Sequence, residues 1–314
     1  MIDIDKALGE ARQLIDGGDF SNAVAALEPL AGLSFEAAML AGVAANRAGT
    51  LDKAVDYFTS AIRMSPEHLQ ARLNLALTLR AMRRIDDAEA VLRSALGIDA
   101  QSLSVNLALG NLTIQKGSFE EARGYFSAVL AIDPLHTGAL NNLGISFTRL
   151  GQLNEASANF EKVMSVEPDN VSVLANLGAI RSEQGRTDDA IALFRRVLVL
   201  APEQIEAANN LGVALLDKGQ VGEAAAVLRS LTEDGRGGAE VFSNLGNALV
   251  KLGDTEGADS AYDQALALGP NPGIRIKRAL LLPVISASVG SMQVARFDFE
   301  QRVDALIKEP PQLV

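Results

Sequence analysis

The sequence predicts an all-α fold, a solenoid of helix-turn-helix repeats with C-terminal capping helices, and three periodic sets of residues predict it. Ala54, Ala88, Ala122, Ala156, Ala190, Ala224 and Ala258 stand 34 residues apart without a slip. Gly49, Gly117, Gly151, Gly185, Gly219 and Gly253 each precede one of those alanines by five residues, with Arg83 as the exception. Leu75, Leu109, Leu143, Leu177, Leu211 and Leu245 form the third set, followed by Gly110, Gly144, Gly178, Gly212 and Gly246, with Ala76 in that slot one repeat earlier. Small residues held on such a period mark a helical repeat array, whose default function is binding rather than chemistry.

The first element, residues 1–34, is a degenerate unit. Gly18, Phe20, Ala23 and Leu27 repeat the turn-and-helix pattern but stand 31 rather than 34 residues before Gly49, Leu51, Ala54 and Phe58. Seven full units follow, at 35–68, 69–102, 103–136, 137–170, 171–204, 205–238 and 239–272. Each reads as helix A, a glycine turn, helix B and an exit, closed in five places by Pro66, Pro134, Pro168, Pro202 and Pro270, where proline stops a helix.

In the unit 137–170, Gly144 and Ala156 are small enough to let helices A and B approach closely. Leu140, Leu143, Phe147, Phe160 and Val163 recur at helical spacing and fill the seam. Leu140, Leu143, Gly144, Ala156, Phe160 and Pro168 together resemble the pattern of the tetratricopeptide repeat (TPR) family. The resemblance covers residues 4 to 272 and implies a right-handed α-solenoid that binds proteins. Such an array buries each unit on its neighbours and needs no single large core. Alanine-rich helices accordingly account for 48% hydrophobic residues beside only 4% aromatics.

Composition narrows the function classes. The absence of cysteine excludes disulfides and thiolate metal sites. The start, MIDIDKALGEARQL, has acidic residues where a secretory signal has basic ones, so a cytoplasmic location is expected. The longest apolar stretch outside the repeats, residues 279–285, is far short of the about 20 residues that span a bilayer, so no membrane insertion is expected. A net charge of −11 argues against nucleic acid as a partner, because phosphates demand a basic surface.

In TPR arrays helix A lines the groove, so one repeat position makes one row. The resemblance therefore points to Asn74, Asn142, Asn176, Asn210 and Asn244, each just before the leucine of helix A, in a row broken by Ala108 and, in the first full repeat, by Leu40. An amide carries both donors and acceptors and can pair with a peptide bond of an extended ligand without reading its side chains. The row is similar to the one lining the repeat arm of O-linked N-acetylglucosamine transferases. Asparagine is also frequent at this position of the family, where it bonds the neighbouring helix, and both readings stay open. Other groove positions split the array. Early repeats present Met39, Val43, Leu73, Leu77 and Leu107, and later ones Asn141, Arg149, Glu183, Asn209, Asp217, Asn247 and Lys251. The polar set extends the expected peptide-binding groove. Met39, Leu73, Leu77 and Leu107 form an expected self-contact, covered by a second copy in a homo-oligomer or by the chain's own N-terminal helix.

Two segments break the period. TEDGRGG, residues 232–238, replaces the last helical turn and proline of a unit, and reads as a hinge or as a tolerated loop irregularity. Residues 273–314 read as a cap, with a helix over about 291–307 whose buried side takes Met292, Val294, Ala295, Phe297, Phe299, Val303 and Leu306. Arg278, Leu281, Leu282, Pro283, Ile285 and Ser288, followed by Arg296 and Arg302, resemble the connector to the catalytic domain of SPINDLY-type and O-linked N-acetylglucosamine transferase-like proteins. Only seven residues follow Ile307, so that domain is expected to be absent.

Chemistry within the chain is sparse. His68 and His136 sit at repeat boundaries with no second histidine or cysteine in helical reach, and read as caps or turn residues rather than metal ligands. The sequence holds no Walker-type loop, and GRGG at 235–238 lacks the lysine and the preceding strand of one. Asp86, Asp87, Glu89, Asp188 and Asp189 fall near the starts of B helices, where negative charge favours the helix N-terminus. No catalytic residue, metal or cofactor is expected. The chain reads as a protein or peptide-binding scaffold, or as the substrate-recruiting arm of a glycosyltransferase.

Overall fold

The computed structural model describes residues 4–281 and 289–310, and among them every regular element is a helix. The first hairpin pairs α1 (Ile4–Asp16) with α2 (Phe20–Leu27), and the next pairs α3 (Phe35–Arg47) with α4 (Leu51–Met64). Then come α5 (Leu69–Ala81) with α6 (Ile85–Ile98), α7 (Leu103–Gln115) with α8 (Phe119–Ile132), and α9 (Thr137–Arg149) with α10 (Leu153–Val166). These helices make one compact unit, residues 1–166. A second unit, residues 167–314, holds α11 (Val171–Glu183) with α12 (Thr187–Leu200), α13 (Ile205–Asp217) with α14 (Val221–Glu233), and α15 (Ala239–Leu252) with α16 (Thr255–Leu268). It ends in α17 (Pro272–Ala279) and α18 (Val289–Lys308).

Local chemistry starts and stops these helices. His68 and His136 are N-caps: Nδ1 of each accepts from the backbone N–H of Ala71 at 3.2 Å and Ala139 at 3.1 Å. Each ring therefore satisfies one of the orphan donors of a helix start. Asp86 and Asp87 lie in the first turn of α6, and Asp188 and Asp189 in that of α12, at the positive end of the helix dipole. Between A and B helices the chain turns through the left-handed region, at Gly151 with φ 73° and Gly253 with φ 79°. Arg83 takes the same conformation, φ 62°, with a side chain attached.

The seam within each hairpin is set by one small residue facing one large one. A Cβ placed on Gly144 would lie 2.8 Å from the Phe160 ring, and one on Gly246 would lie 2.5 Å from the Tyr262 ring. The same pairing joins Gly42 to Phe58, Gly110 to Phe126, Gly178 to Phe194 and Gly212 to Leu228. Phe58, Phe126, Phe160 and Phe194 are fully buried. Where the glycine slot holds Ala76, the ring position holds Leu92, and both are buried.

The glycine-rich break after α14 is a hydrogen-bonded turn: the Gly235 N–H donates to the Thr232 carbonyl at 3.1 Å and that of Arg236 to the Leu231 carbonyl at 3.0 Å. At the C-terminus, Asn271 Oδ1 accepts from the Ile274 N–H at 3.1 Å and Pro272 opens the first turn of α17. Asp259 on α16 then ties three helices. Its Oδ1 accepts from Arg278 Nε at 3.0 Å and from Arg302 Nη1 at 3.3 Å, while Asp263 pairs with the same Arg278. Carboxylates on both sides raise the Arg278 guanidinium above its ordinary range.

The expected buried side of α18 needs correction. Phe299, Val303 and Leu306 are half-buried, but Met292, Val294 and Phe297 are 54%, 62% and 59% exposed. Val294 and Phe297 lie on the opposite side of a 3.6-residue helix from Phe299, Val303 and Leu306, so one packed face cannot take all of them. The side chain of Ala295 lies outside the described residues.

Two stability tests follow from the turns and seams. The left-handed region costs a residue with a side chain roughly 1–2 kcal/mol, more than the roughly 0.5–1 kcal/mol entropic cost of glycine. Arg83→Gly is therefore expected to raise the urea midpoint, and a lowered midpoint contradicts the account. Gly144→Ala is expected to lower it, because overpacking of about 1–3 kcal/mol outweighs the helix propensity gained, about 0.8–1 kcal/mol. Adding Phe160→Leu to that variant, which reproduces the Ala76 and Leu92 combination, should recover part of the loss.

Candidate functional site

A pocket of about 560 Å³ lies at the last repeat of the second unit. Asn244, Asn247, Val250 and Lys251 reach it from α15, and Val213, Leu216 and Asp217 from α13. α17 and the residue after it close one side with Lys277, Leu280 and Leu281, so the C-terminal cap supplies a wall. Helix periodicity explains the α15 contribution: 244, 247 and 251 are spaced by three and four residues and share a face.

Asn247 organises the polar part. Its Oδ1 accepts from Tyr262 Oη at 3.0 Å and from Lys277 Nζ at 3.1 Å. Burial pushes the Tyr262 hydroxyl up, which keeps it a donor. The seam residue that faces Gly246 thus also fixes the amide in the pocket. Asn247 keeps both its N–H groups outside these two bonds. Lys251 Nζ donates to the Leu216 carbonyl at 3.3 Å. Among the described residues, neither Lys251 nor Lys277 has a carboxylate oxygen within 4 Å. Two ammonium groups, two amides and the Asp217 carboxylate, which lies beyond 4 Å of either ammonium, border an apolar floor of Val213, Leu216, Val250, Leu280 and Leu281.

The asparagine row is mixed in its bonding. Asn244 Nδ2 donates to Asn209 Oδ1 at 2.9 Å, and Asn209 Nδ2 to Glu240 Oε1 at 3.1 Å, a chain linking α15 to α13. In the first unit Asn142 Nδ2 donates to Asn111 Oδ1 at 2.7 Å, and Asn141 Nδ2 to Asn142 Oδ1 at 3.3 Å. Asn74 accepts from Gln70 Nε2 within its own helix at 2.8 Å. Asn176 and Asn210 are half-buried, and Asn209 is buried. Asn142 and Asn244 thus each commit one N–H to the neighbouring A helix and retain one N–H. The structure brings Asn244, Asn247 and Lys251 together in one pocket; Arg149 is exposed at the end of α9 in the other unit.

Of the apolar set, Leu77 is 44% exposed, Met39 and Leu107 are half-buried against the core of the first unit, and Leu73 is 7% exposed. α1 packs on α2 and α3, and Arg12 pairs with Glu36. Lys277 and Leu280 are absent from the residues the sequence points to, and Leu281 is expected there in the connector rather than in a groove, because this stretch belongs to no repeat. The Asn271 cap with Pro272 behind it is the signal for the helix that carries Lys277. Of the expected connector, Leu282, Pro283, Ile285 and Ser288 lie outside the described residues. Among the described residues, no helix is long and apolar enough to cross a membrane, and no group of three or more His, Cys, Asp or Glu is placed to hold a metal ion.

Profiles of the tetratricopeptide repeat match residues 8–68, 45–112, 79–143, 137–203, 181–243 and 239–272. No curated protein matches the chain in sequence. Among solved structures, a tetratricopeptide repeat protein from Parabacteroides merdae is 18% identical with a TM-score of 0.59, over 79% of this chain and 98% of that one. Pseudomonas aeruginosa pilF is 21% identical with a TM-score of 0.55, over 64% and 91%. The Cut9–Hcn1 hetero-tetramer of the APC/C gives 17% and 0.53, over 93% and 57%. At these identities the likeness concerns the fold. With repeat profiles covering residues 8–272 and the helical hairpins that carry them in view, the chain belongs to the tetratricopeptide repeat family.

Proposed function

We propose that the chain is a non-catalytic interaction scaffold whose second unit holds a segment of a partner protein in the pocket between α13, α15 and α17. The observation that carries this reading is the pairing of Lys251 and Lys277, without carboxylate partners among the described residues, with the amides of Asn244 and Asn247 around an apolar floor. The amides supply donors for a peptide carbonyl, and the ammonium groups take an acidic side chain or a chain-terminal carboxylate. Apolar side chains of the segment cover Val250 and Leu280, both exposed in the free chain. The repeat fold supports protein partners in general, and the charge of the pocket selects among them.

Random peptides displayed and selected on the full chain, then measured by fluorescence anisotropy, test this. Selected peptides that carry an acidic group are expected, with affinity falling as salt rises. Lys251→Ala with Lys277→Ala should cost about 2–3 kcal/mol of binding and Asn244→Ala about 1–3 kcal/mol, without loss of helicity. A selection in which no acidic peptide loses affinity in the double variant contradicts the reading.

A further inference from the structure

The first unit carries a second surface of different character. On the face made by its A helices, Val43 and Leu107 are half-buried and Leu77 is 44% exposed; α1 packs on α2 and on α3, the helix that carries Val43, whereas Leu77 and Leu107 stand on α5 and α7. The A helices are laced together beneath it: Asn46 Nδ2 on α3 donates to Thr78 Oγ1 on α5 at 2.7 Å, and Asn142 on α9 to Asn111 on α7. Helical spacing sets arginines at the C-terminal edge of the same face. Arg47 follows Val43 by four residues, Arg80 follows Leu77 by three, and Arg149 ends α9.

Several other cations of the unit are paired internally, although Arg63 and Arg72 also have no carboxylate oxygen within 4 Å. Arg84 is paired with Asp87, Arg93 with Glu89 and Glu121, Arg123 with Glu120, and Lys116 with Asp86 and Glu89. Arg47, Arg80 and Arg149 are exposed, and among the described residues none has a carboxylate oxygen within 4 Å. Arg83, beside them at the end of α5, is also exposed and unpaired in this sense, and it occupies a left-handed turn position where the other repeats hold glycine. A positive edge along an apolar floor, in a chain of net charge −11, is a local reversal of the overall field. Beyond about 8–10 Å the overall charge is screened, so the nearby arginines govern contact.

We infer that this face of the first unit docks an acidic amphipathic segment of a partner protein, with large apolar side chains on Val43, Leu77 and Leu107 and carboxylates on Arg47, Arg80 and Arg149. Guanidinium forks match carboxylates in pairs, and the apolar floor offers nothing to a phosphate backbone. The surface is separate from the pocket at Lys251 and Lys277 and stands without it.

The test uses the full chain and random displayed peptides, with wild type, Arg80→Glu/Arg149→Glu, Leu77→Asp and Lys251→Ala/Lys277→Ala compared, and circular dichroism confirming helicity. The expected result is a class of acidic peptides with apolar residues at helical spacing. Their affinity should fall about tenfold or more in the arginine variant and in Leu77→Asp, and stay unchanged in the lysine variant. If Leu77→Asp fails to fold, the exposed arginine pair alone carries the comparison. No such class, a neutral or basic class, or equal binding by the arginine variant overturns the inference. So does light scattering that finds a wild-type dimer made monomeric by Leu77→Asp, since a second copy would then occupy the face.

Discussion

Gly144 lies against the ring of Phe160, and the same contact recurs from Gly42 and Phe58 to Gly246 and Tyr262. The distance between the two helices of each hairpin is fixed there, because a ring fits only where no Cβ stands opposite. Everything exposed on the A helices inherits its placement from that contact. Positions three and four residues from a seam glycine share its side of the helix, as buried Leu140 and Leu249 do, so a partner meets the rest of the circumference. Tyr262 makes the link explicit: its ring faces Gly246, and its hydroxyl holds Asn247 at the pocket.

The hairpins were legible in the sequence because their determinants are local and repeat. A glycine five residues before an alanine, with leucine-glycine in helix A, leaves little freedom about where helices start and stop. Even the exceptions are interpretable, with Arg83 adopting the left-handed turn and Ala76 accompanied by Leu92 at the ring position. The histidines were readable as caps because each precedes a helix by one residue, and Nδ1 is the acceptor the helix start requires.

The site was less legible because it depends on contacts between elements of different type. A strict row suggested five equivalent asparagines, yet hydrogen bonds to Asn111 and Asn209 on neighbouring helices distinguish Asn142 and Asn244 from Asn74, which bonds within α5. Lys277 belongs to no repeat, so periodicity could not assign it a face. The α18 stripe failed for a different reason: apolar residues were counted along the chain, whereas Val294 and Phe297 point away from the side that Phe299, Val303 and Leu306 present to the body of the unit. Charge pairing is likewise hidden in the sequence, because many of the pairs join different helices. It separates Arg84 and Arg93, bound to carboxylates, from Arg80 and Arg149, which among the described residues have no carboxylate oxygen within 4 Å.

The two proposed surfaces share one logic, in which cations left without carboxylate partners border apolar side chains. The pocket of the second unit carries the proposed function. Amide hydrogen exchange of the full chain, with and without a peptide selected for it, tests that claim directly. Protection confined to α13, α15 and α17 is the predicted result, since those helices hold Leu216, Asn244, Lys251 and Lys277. Protection confined to α14 and α16 would contradict the account.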